Sequence, residues 1–157
     1  MVEFFHAYDL RGKYPDQISE TEAEKLGKAY GTYVNGEIMV ARDGRTHAEK
    51  ITKAFIEGIR STGTHLVDIG MVPSPVLYFA VDKLGYSNGA VVTASHNPSE
   101  YTGFKFCLEE GLAMSRENGM KEIEEIYEEG SFSEGKGSYR ENEIAQEYIE
   151  AVSEKFD

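Results

Sequence analysis

Apolar residues follow two different spacings along this chain, and the spacings alternate. Ala23, Leu26, Tyr30, Tyr33 and Val34 recur every three to four residues, the repeat of an amphipathic helix. Ser19-Glu20-Thr21-Glu22 precedes them as a capping box, with serine and glutamate able to satisfy each other's free amides. Asn35-Gly36 ends that helix with residues that tolerate positive φ. A second helix has Thr46 as its cap, Ile51, Ala54, Phe55 and Ile59 on its face, and Gly63 at its close. A third opens at Ser74-Pro75, where proline lacks only an amide that the first turn leaves unused. Val76, Leu77, Phe79, Ala80, Val81 and Leu84 make it apolar nearly all round, which predicts deep burial, and Gly85 stops it. A weaker helix is predicted over 115–128, with Met120, Ile123, Ile126 and Tyr127 inward. The last runs over 142–156, with Ala145, Tyr148, Ile149, Val152 and Phe156 on one stripe.

Between the helices, residues 38–41, 66–69 and 90–93 are short unbroken apolar runs, the signature of strands buried on both faces. Residues 103–108 alternate instead, with Phe104, Phe106 and Leu108 on one side and Lys105 and Cys107 on the other. No helix separates 90–93 from 103–108, so these two strands suit antiparallel neighbours. Elsewhere helix and strand alternate. The expected architecture is a three-layer α/β/α domain with a mixed, mostly parallel sheet. Residues 131–138 are small and polar and read as a loop or hairpin before the final helix.

Composition narrows the function classes. A chain of 157 residues with 40% hydrophobic residues builds one domain with a sizeable core. The 16 Lys+Arg against 28 Asp+Glu give a net charge of −12, which disfavours nucleic acid and anionic membrane surfaces as partners. The longest apolar run, 76–81, is far too short to cross a bilayer. Glu3, Asp9 and Asp16 near the start do not suit a signal peptide. Cys107 is the one cysteine, so neither an intrachain disulfide nor a thiolate metal cage is expected, and a reducing cytoplasm is the natural setting. His6, His47, His65 and His96 show no metal-ligand spacing. His65 begins a strand as a packing or surface residue, and His47 sits exposed in a first helical turn. No Asp-x-Asp sequence occurs, so a divalent-ion site assembled by this chain alone is not expected.

The chemistry concentrates in Thr93-Ala94-Ser95-His96-Asn97-Pro98-Ser99-Glu100-Tyr101-Thr102-Gly103-Phe104-Lys105. This stretch leaves a buried strand at its carboxyl end, where open α/β sheets hold their ligands. Asn97-Pro98 forces a turn that presents Ser95 and His96 at a bend. The Gly-x-Ser-x-Gly elbow of a hydrolase is absent. On its residues alone the segment is either an ordinary polar loop or a hydroxyl able to carry a phosphoryl group, with Lys105 as proton shuttle. Tyr8-Asp9-Leu10-Arg11-Gly12-Lys13 and Arg42-Asp43-Gly44-Arg45-Thr46 add two arginine-bearing loops. Arginine forks suit phosphate, although Asp43-Gly44 is also simply a turn and Arg45 suits a neighbouring carboxylate equally.

Taken together, these motifs resemble those of the α-D-phosphohexomutases, in the phosphomannomutase/phosphoglucomutase branch. Thr-Ala-Ser-His-Asn-Pro followed by Tyr-Thr-Gly-Phe-Lys resembles that family's phosphoserine loop. Phe5 to Gly12, Val40 to Arg45 and Gly70 to Pro75 resemble three further family segments in the same order, with a departure at His6, where the family has arginine. The resemblance implies that Ser95 carries a phosphoryl group between the 1- and 6-positions of a hexose phosphate, through a hexose 1,6-bisphosphate that also serves as activator. It implies Lys105 as general acid/base and His96 as its assistant. It further implies Tyr8, Arg11, Arg42, Arg45 and Asn97 as substrate and phosphate contacts, and Mg²⁺ on the phosphate of Ser95. It covers only the family's first domain. The metal-binding Asp-x-Asp-x-Asp loop, the sugar-reading loop and the distal phosphate clamp are not present in this sequence. The implied reading is a single domain over 1–157, either excised or naturally short, that is an incomplete enzyme and depends on the remaining domains as partners. A homodimer through the uncovered inter-domain face is a further expectation. The alternative is a non-catalytic module that binds a phosphosugar or a protein.

Overall fold

The computed structural model describes residues 2–34 and 36–156. In chain order the elements are β1 (Leu10–Lys13), α1 (Glu20–Tyr33), β2 (Glu37–Arg42), α2 (Ala48–Arg60), β3 (His65–Met71), α3 (Ser74–Leu84), β4 (Asn88–Val92), β5 (Tyr101–Leu108), α4 (Lys121–Glu129), β6 (Tyr139–Glu141) and α5 (Ala145–Ser153). One six-stranded sheet runs in the order β1-β5-β4-β2-β3-β6. Strands β4, β2, β3 and β6 are parallel, while β5 is antiparallel to both β4 and β1. The sheet is thus mixed and mostly parallel, and the 90–93 and 103–108 runs are the antiparallel neighbours their short connection implies.

Helices cover both faces, which is why the central strands are apolar without alternation. On one face, Leu26 and Tyr30 of α1 and Ile51, Phe55 and Ile59 of α2 pack on Leu10, Ile38, Val40, Val92, Phe104 and Phe106. Tyr30 stacks on Phe106 at 4.4 Å between ring centroids. On the other face, Val76, Leu77, Ala80 and Val81 of α3 pack on Met39, Ala41, Val67, Val91 and Cys107. The helix signals act as read: Ser19 and Glu22 form the capping box, Pro75 lies in the first turn of α3, and Gly85 ends that helix at φ 70°.

Several expectations are corrected. Thr46 does not cap α2. Asp43 captures the Arg45 amide first, at 3.1 Å, and the resulting tight turn hands the start of the helix to His47. His47 is not exposed but buried, stacked on Tyr14 at 4.6 Å. Leu84 is exposed, since α3 buries one face on the sheet and only part of the other against α5, through the edge-on pair Phe79–Tyr148. The final helix is shorter than expected. Its Ile149, Val152 and Phe156 are exposed because no described element packs over that stripe. The helix read over 115–128 opens with a wide π turn at 116–120 before α4 begins. Asn35 lies outside the described residues.

Cys107 faces α3 from β5, and burial pushes its thiol from the ordinary 9.0 up to about 12. The native chain is therefore expected to resist a thiol reagent at pH 8 and to react once unfolded; reaction in the native state would show this face to be open. The sign of the pH dependence follows. The unfolded thiol loses its proton near pH 9 while the folded one holds it, so the stabilisation is whole below that pH and declines as pH rises towards 12.

Candidate functional site

The site is built where β4 ends. The amide of Thr93 donates to the Gly103 carbonyl at 2.9 Å, the last cross-strand bond before the chain turns away. Thr93 Oγ1 accepts the Ser95 amide at 3.0 Å. The Asn97 amide and its Nδ2 both donate to the Ala94 carbonyl, at 3.1 and 2.8 Å, closing a turn over residues 94–97. Ser95 sits on that turn at φ 54°, a left-handed conformation that costs a residue with a Cβ about 1 kcal/mol or more. Ser95 and His96 are exposed, and neither side chain has a hydrogen-bond partner among the described residues.

Arg45 holds this loop from below. Its Nη1 donates to the carbonyls of Pro98 and Tyr101 at 2.6 and 3.2 Å, and its Nη2 to those of Ser95 and Asn97 at 3.1 and 2.7 Å. Its Nε donates to Asp43 Oδ2 at 3.2 Å. All five guanidinium N–H groups are thereby engaged. The buried His47 adds a second hold, with Nε2 at 3.0 Å from the Tyr101 carbonyl.

Beside the loop, β1 lies against the first residues of β5, with Arg11 paired to Gly103. A Cβ on Gly103 would fall 2.2 Å from the Leu10 carbonyl oxygen and 3.2 Å from Arg11 Cγ, so only glycine admits Arg11 here. Arg11 Nε donates to Asp9 at 3.1 Å, and both terminal nitrogens of its guanidinium lack partners among the described residues. Lys105 lies about 7 Å further along β5 on the Gly103 side, opposite the buried Phe104 and Phe106. Lys13 Nζ stands 5.9 Å over the Tyr101 ring. A shallow hollow of about 340 Å³ opens here, and it brings Arg11, Asn97, Tyr101 and His6 together. On a chain of net charge −12, Arg11 and Lys13 of β1 and Arg45 stand at this loop and the start of β5, the two arginines paired with Asp9 and Asp43 respectively. An exposed, unpartnered hydroxyl on the loop whose Asn97 shares a hollow with the unused terminal nitrogens of Arg11 is chemically suited to carry an anion.

Not every residue singled out from the sequence comes together here. Tyr8 sits in the turn before β1, 71% exposed. Arg42 lines a separate hollow of about 1340 Å³ between α2 and α5, with Glu49 and Met71. It is the last residue of β2 and alternates onto the α2 side, away from Lys105. His47 and Tyr101 gave no sign of their parts, because the His47 ring meets the Tyr101 carbonyl 54 positions away, and Thr93 gave none because its Oγ1 serves the backbone amide of Ser95. The donor set does not fit a resident cation. Among the described residues no group of three or more His, Cys, Asp or Glu converges on one point. No described helix is long and apolar enough to cross a membrane.

The family model described as phosphoglucomutase/phosphomannomutase, alpha/beta/alpha domain I, matches residues 2–134. A phosphomannomutase of Klebsiella pneumoniae is 34% identical over 151 residues, which cover 93% of this chain and 96% of that protein. A phosphomannomutase of Escherichia coli is also 34% identical over 151 residues, covering 93% of this chain but 33% of that protein. The crystal structure of a phosphoglucomutase/phosphomannomutase family protein from Burkholderia thailandensis superposes with a TM-score of 0.86 at 33% identity, covering 95% of this chain and 35% of that one. The chain thus spans about a third of the Escherichia and Burkholderia proteins and nearly all of the Klebsiella one.

Proposed function

The chain belongs to the phosphoglucomutase/phosphomannomutase family, and from that premise we propose that it is the domain which carries the phosphoryl group during interconversion of hexose 1-phosphates and hexose 6-phosphates. Phosphorylated Ser95 gives up its group to the free hydroxyl of the sugar phosphate. The bond from phosphorus to Ser95 Oγ breaks and a bond from phosphorus to the sugar oxygen forms. One proton leaves the sugar hydroxyl and one arrives at Oγ. The product is a hexose 1,6-bisphosphate, which turns and returns its other phosphoryl group by the reverse of the same step. Phosphoserine is restored, and added bisphosphate serves as activator by charging an empty serine.

The residues take parts that their positions support. Lys105, half-buried on the Gly103 side of β5, moves the proton, and His96, adjacent to the serine on the exposed turn, assists it. Arg11, whose terminal nitrogens have no partner among the described residues, binds phosphate bidentately, with Asn97 lining the same hollow and the exposed Tyr8 of the turn before β1 meeting the substrate. Arg42 contributes through its charge rather than by contact, given that it lines the other hollow. Mg²⁺ serves phosphoryl transfer by neutralising developing charge. This chain offers it the phosphoserine oxygens alone, and no step here is routed through it. Metal ligation, sugar selection and the distal phosphate are assigned to further domains, with residues 1–157 forming the first.

The observation that carries this reading is the serine itself. Its hydroxyl is exposed and unpartnered, on a left-handed turn whose Asn97 lines one hollow with Arg11. The test joins residues 1–157 to the Escherichia coli relative in place of its matching third, and incubates the product with glucose 1,6-bisphosphate and Mg²⁺. Intact-mass analysis and peptide mapping are expected to find one phosphoryl group, on Ser95. A joined protein that isomerises glucose 1-phosphate without ever phosphorylating Ser95 refutes the mechanism. One that binds the bisphosphate without transfer favours a non-catalytic module.

A further inference from the structure

We propose that Arg45 is a positioning residue for Ser95 and not a ligand of the transferred phosphate; this deepens the phosphoserine reading and rests on it. Its fork is filled from within the chain. Four of its N–H groups meet the carbonyls of Ser95, Asn97, Pro98 and Tyr101, and the fifth meets Asp43. Asp43 also accepts the Arg45 backbone amide, so the arginine is fixed at its root as well as its tip. The side chain is 15% exposed, which leaves little room for a ligand to approach it.

The loop needs this hold. Four carbonyl oxygens converging on one point repel one another, and no strand pairs with residues 94–100 to spread them apart. Ser95 sits in a conformation that a residue with a Cβ populates sparsely, and such a conformation persists only where its surroundings over-determine it. A phosphoserine would add ~1.5–2 negative charges above these oxygens. A guanidinium placed among the carbonyls offsets that charge without touching the phosphate. Lysine cannot take this part, because its three donors radiate from one nitrogen and cannot serve four carbonyls and a carboxylate. Arg11 is the contrasting case, an arginine with one nitrogen committed and two available.

The test uses Arg45→Ala and Arg45→Lys with two readouts. Amide exchange on the chain itself is expected to quicken at Ser95, Asn97 and Tyr101 by on the order of 10-fold or more in Arg45→Ala. The buried strand residues Val91 and Phe106 should be unchanged, which reports an intact fold. In the joined protein, kcat for isomerisation is expected to fall by on the order of 100-fold, as for a misplaced reacting group, with KM within about 3-fold. Arg45→Lys should recover only part of this, and added methylguanidinium should restore part of the rate of Arg45→Ala. Unchanged loop exchange in Arg45→Ala overturns the proposal, and so does a rise in KM at constant kcat, the pattern of a phosphate ligand. Activity that survives Ser95→Ala would instead overturn the phosphoserine reading, and positioning with it, even where the loop exchange responds as expected.

Discussion

Ser95→Ala and Ser95→Gly are expected to abolish isomerisation alike in the joined protein and yet to differ in stability. The acceptor of the phosphoryl group is one oxygen, and no neighbouring hydroxyl replaces it. Ser99 is separated from Ser95 by the 94–97 turn and Pro98. Loss of a covalent nucleophile costs on the order of 10⁴-fold or more in rate, so both variants should fall to background. Stability responds to the Cβ. At φ 54° alanine keeps the steric conflict that serine has, about 1–2 kcal/mol, and glycine relieves it. Glycine gives back about 0.5–1 kcal/mol through the greater freedom of its unfolded chain. The surplus favours Ser95→Gly over Ser95→Ala by about 1 kcal/mol, or roughly 3 °C in midpoint for a chain of this size. Thermal unfolding of the two variants measures it. Equal midpoints would mean that the turn relaxes once the hydroxyl is gone, and detectable mutase activity in either would remove Ser95 from the mechanism.

Much of this arrangement was legible in the sequence, and the parts that were not share a cause. The alternation of Phe104, Phe106 and Leu108 against Lys105 and Cys107 assigned the residues of β5 to its two faces, since successive side chains of a strand point to opposite sides. It did not show that both faces are covered, Phe104 and Phe106 by α1 and α2 and Cys107 by α3. The serine loop stood out by residue type. Strand β1 left no such record, because Leu10 is its one large apolar residue and Gly12 has no side chain to pattern. Strand β6 has only exposed residues, and parallel pairing with β3 holds it there. His47 was read as exposed because the ring that covers it belongs to Tyr14 and the carbonyl it meets to Tyr101, 33 and 54 positions away. The carbonyls that Arg45 meets left no trace in the sequence for the same reason, lying 50 to 56 positions along the chain, whereas its pairing with Asp43 was among the readings the residues allowed. The periodicity of α5 foretold a helix, but periodicity does not say what covers its stripe, and among the described residues nothing covers Ile149, Val152 and Phe156.

Gly103→Ala is expected to be the most damaging single methyl in the chain's functional corner. The added Cβ would stand 2.2 Å from the Leu10 carbonyl oxygen and 2.9 Å from that of Thr93. Both obstacles are backbone, and neither can turn aside as a side chain does. One carbonyl belongs to β1 and the other to the exit of β4, so relief on either side moves a strand. Ordinary overpacking costs about 1–3 kcal/mol, and a wedge between two backbones should reach or exceed the upper end of that range. Gly44→Ala is the control, since its Cβ meets only the soft Met71 Sδ at 3.4 Å and should cost less than about 1 kcal/mol. Urea unfolding should show a lowered midpoint with unchanged slope for Gly103→Ala and little change for Gly44→Ala. The consequence for activity follows from the same geometry. Arg11 is admitted to the site by the missing Cβ, and the serine loop leaves the sheet at Thr93. Displacing β1 withdraws the free guanidinium, while displacing Thr93 tilts the turn that presents Ser95. Stability and phosphoryl transfer should therefore be lost together in Gly103→Ala, whereas Ser95→Gly separates them. A Gly103→Ala variant as stable as the parent would show that β1 packs on β5 more loosely than these contacts require, and Arg11 would lose its fixed place in the hollow it shares with Asn97.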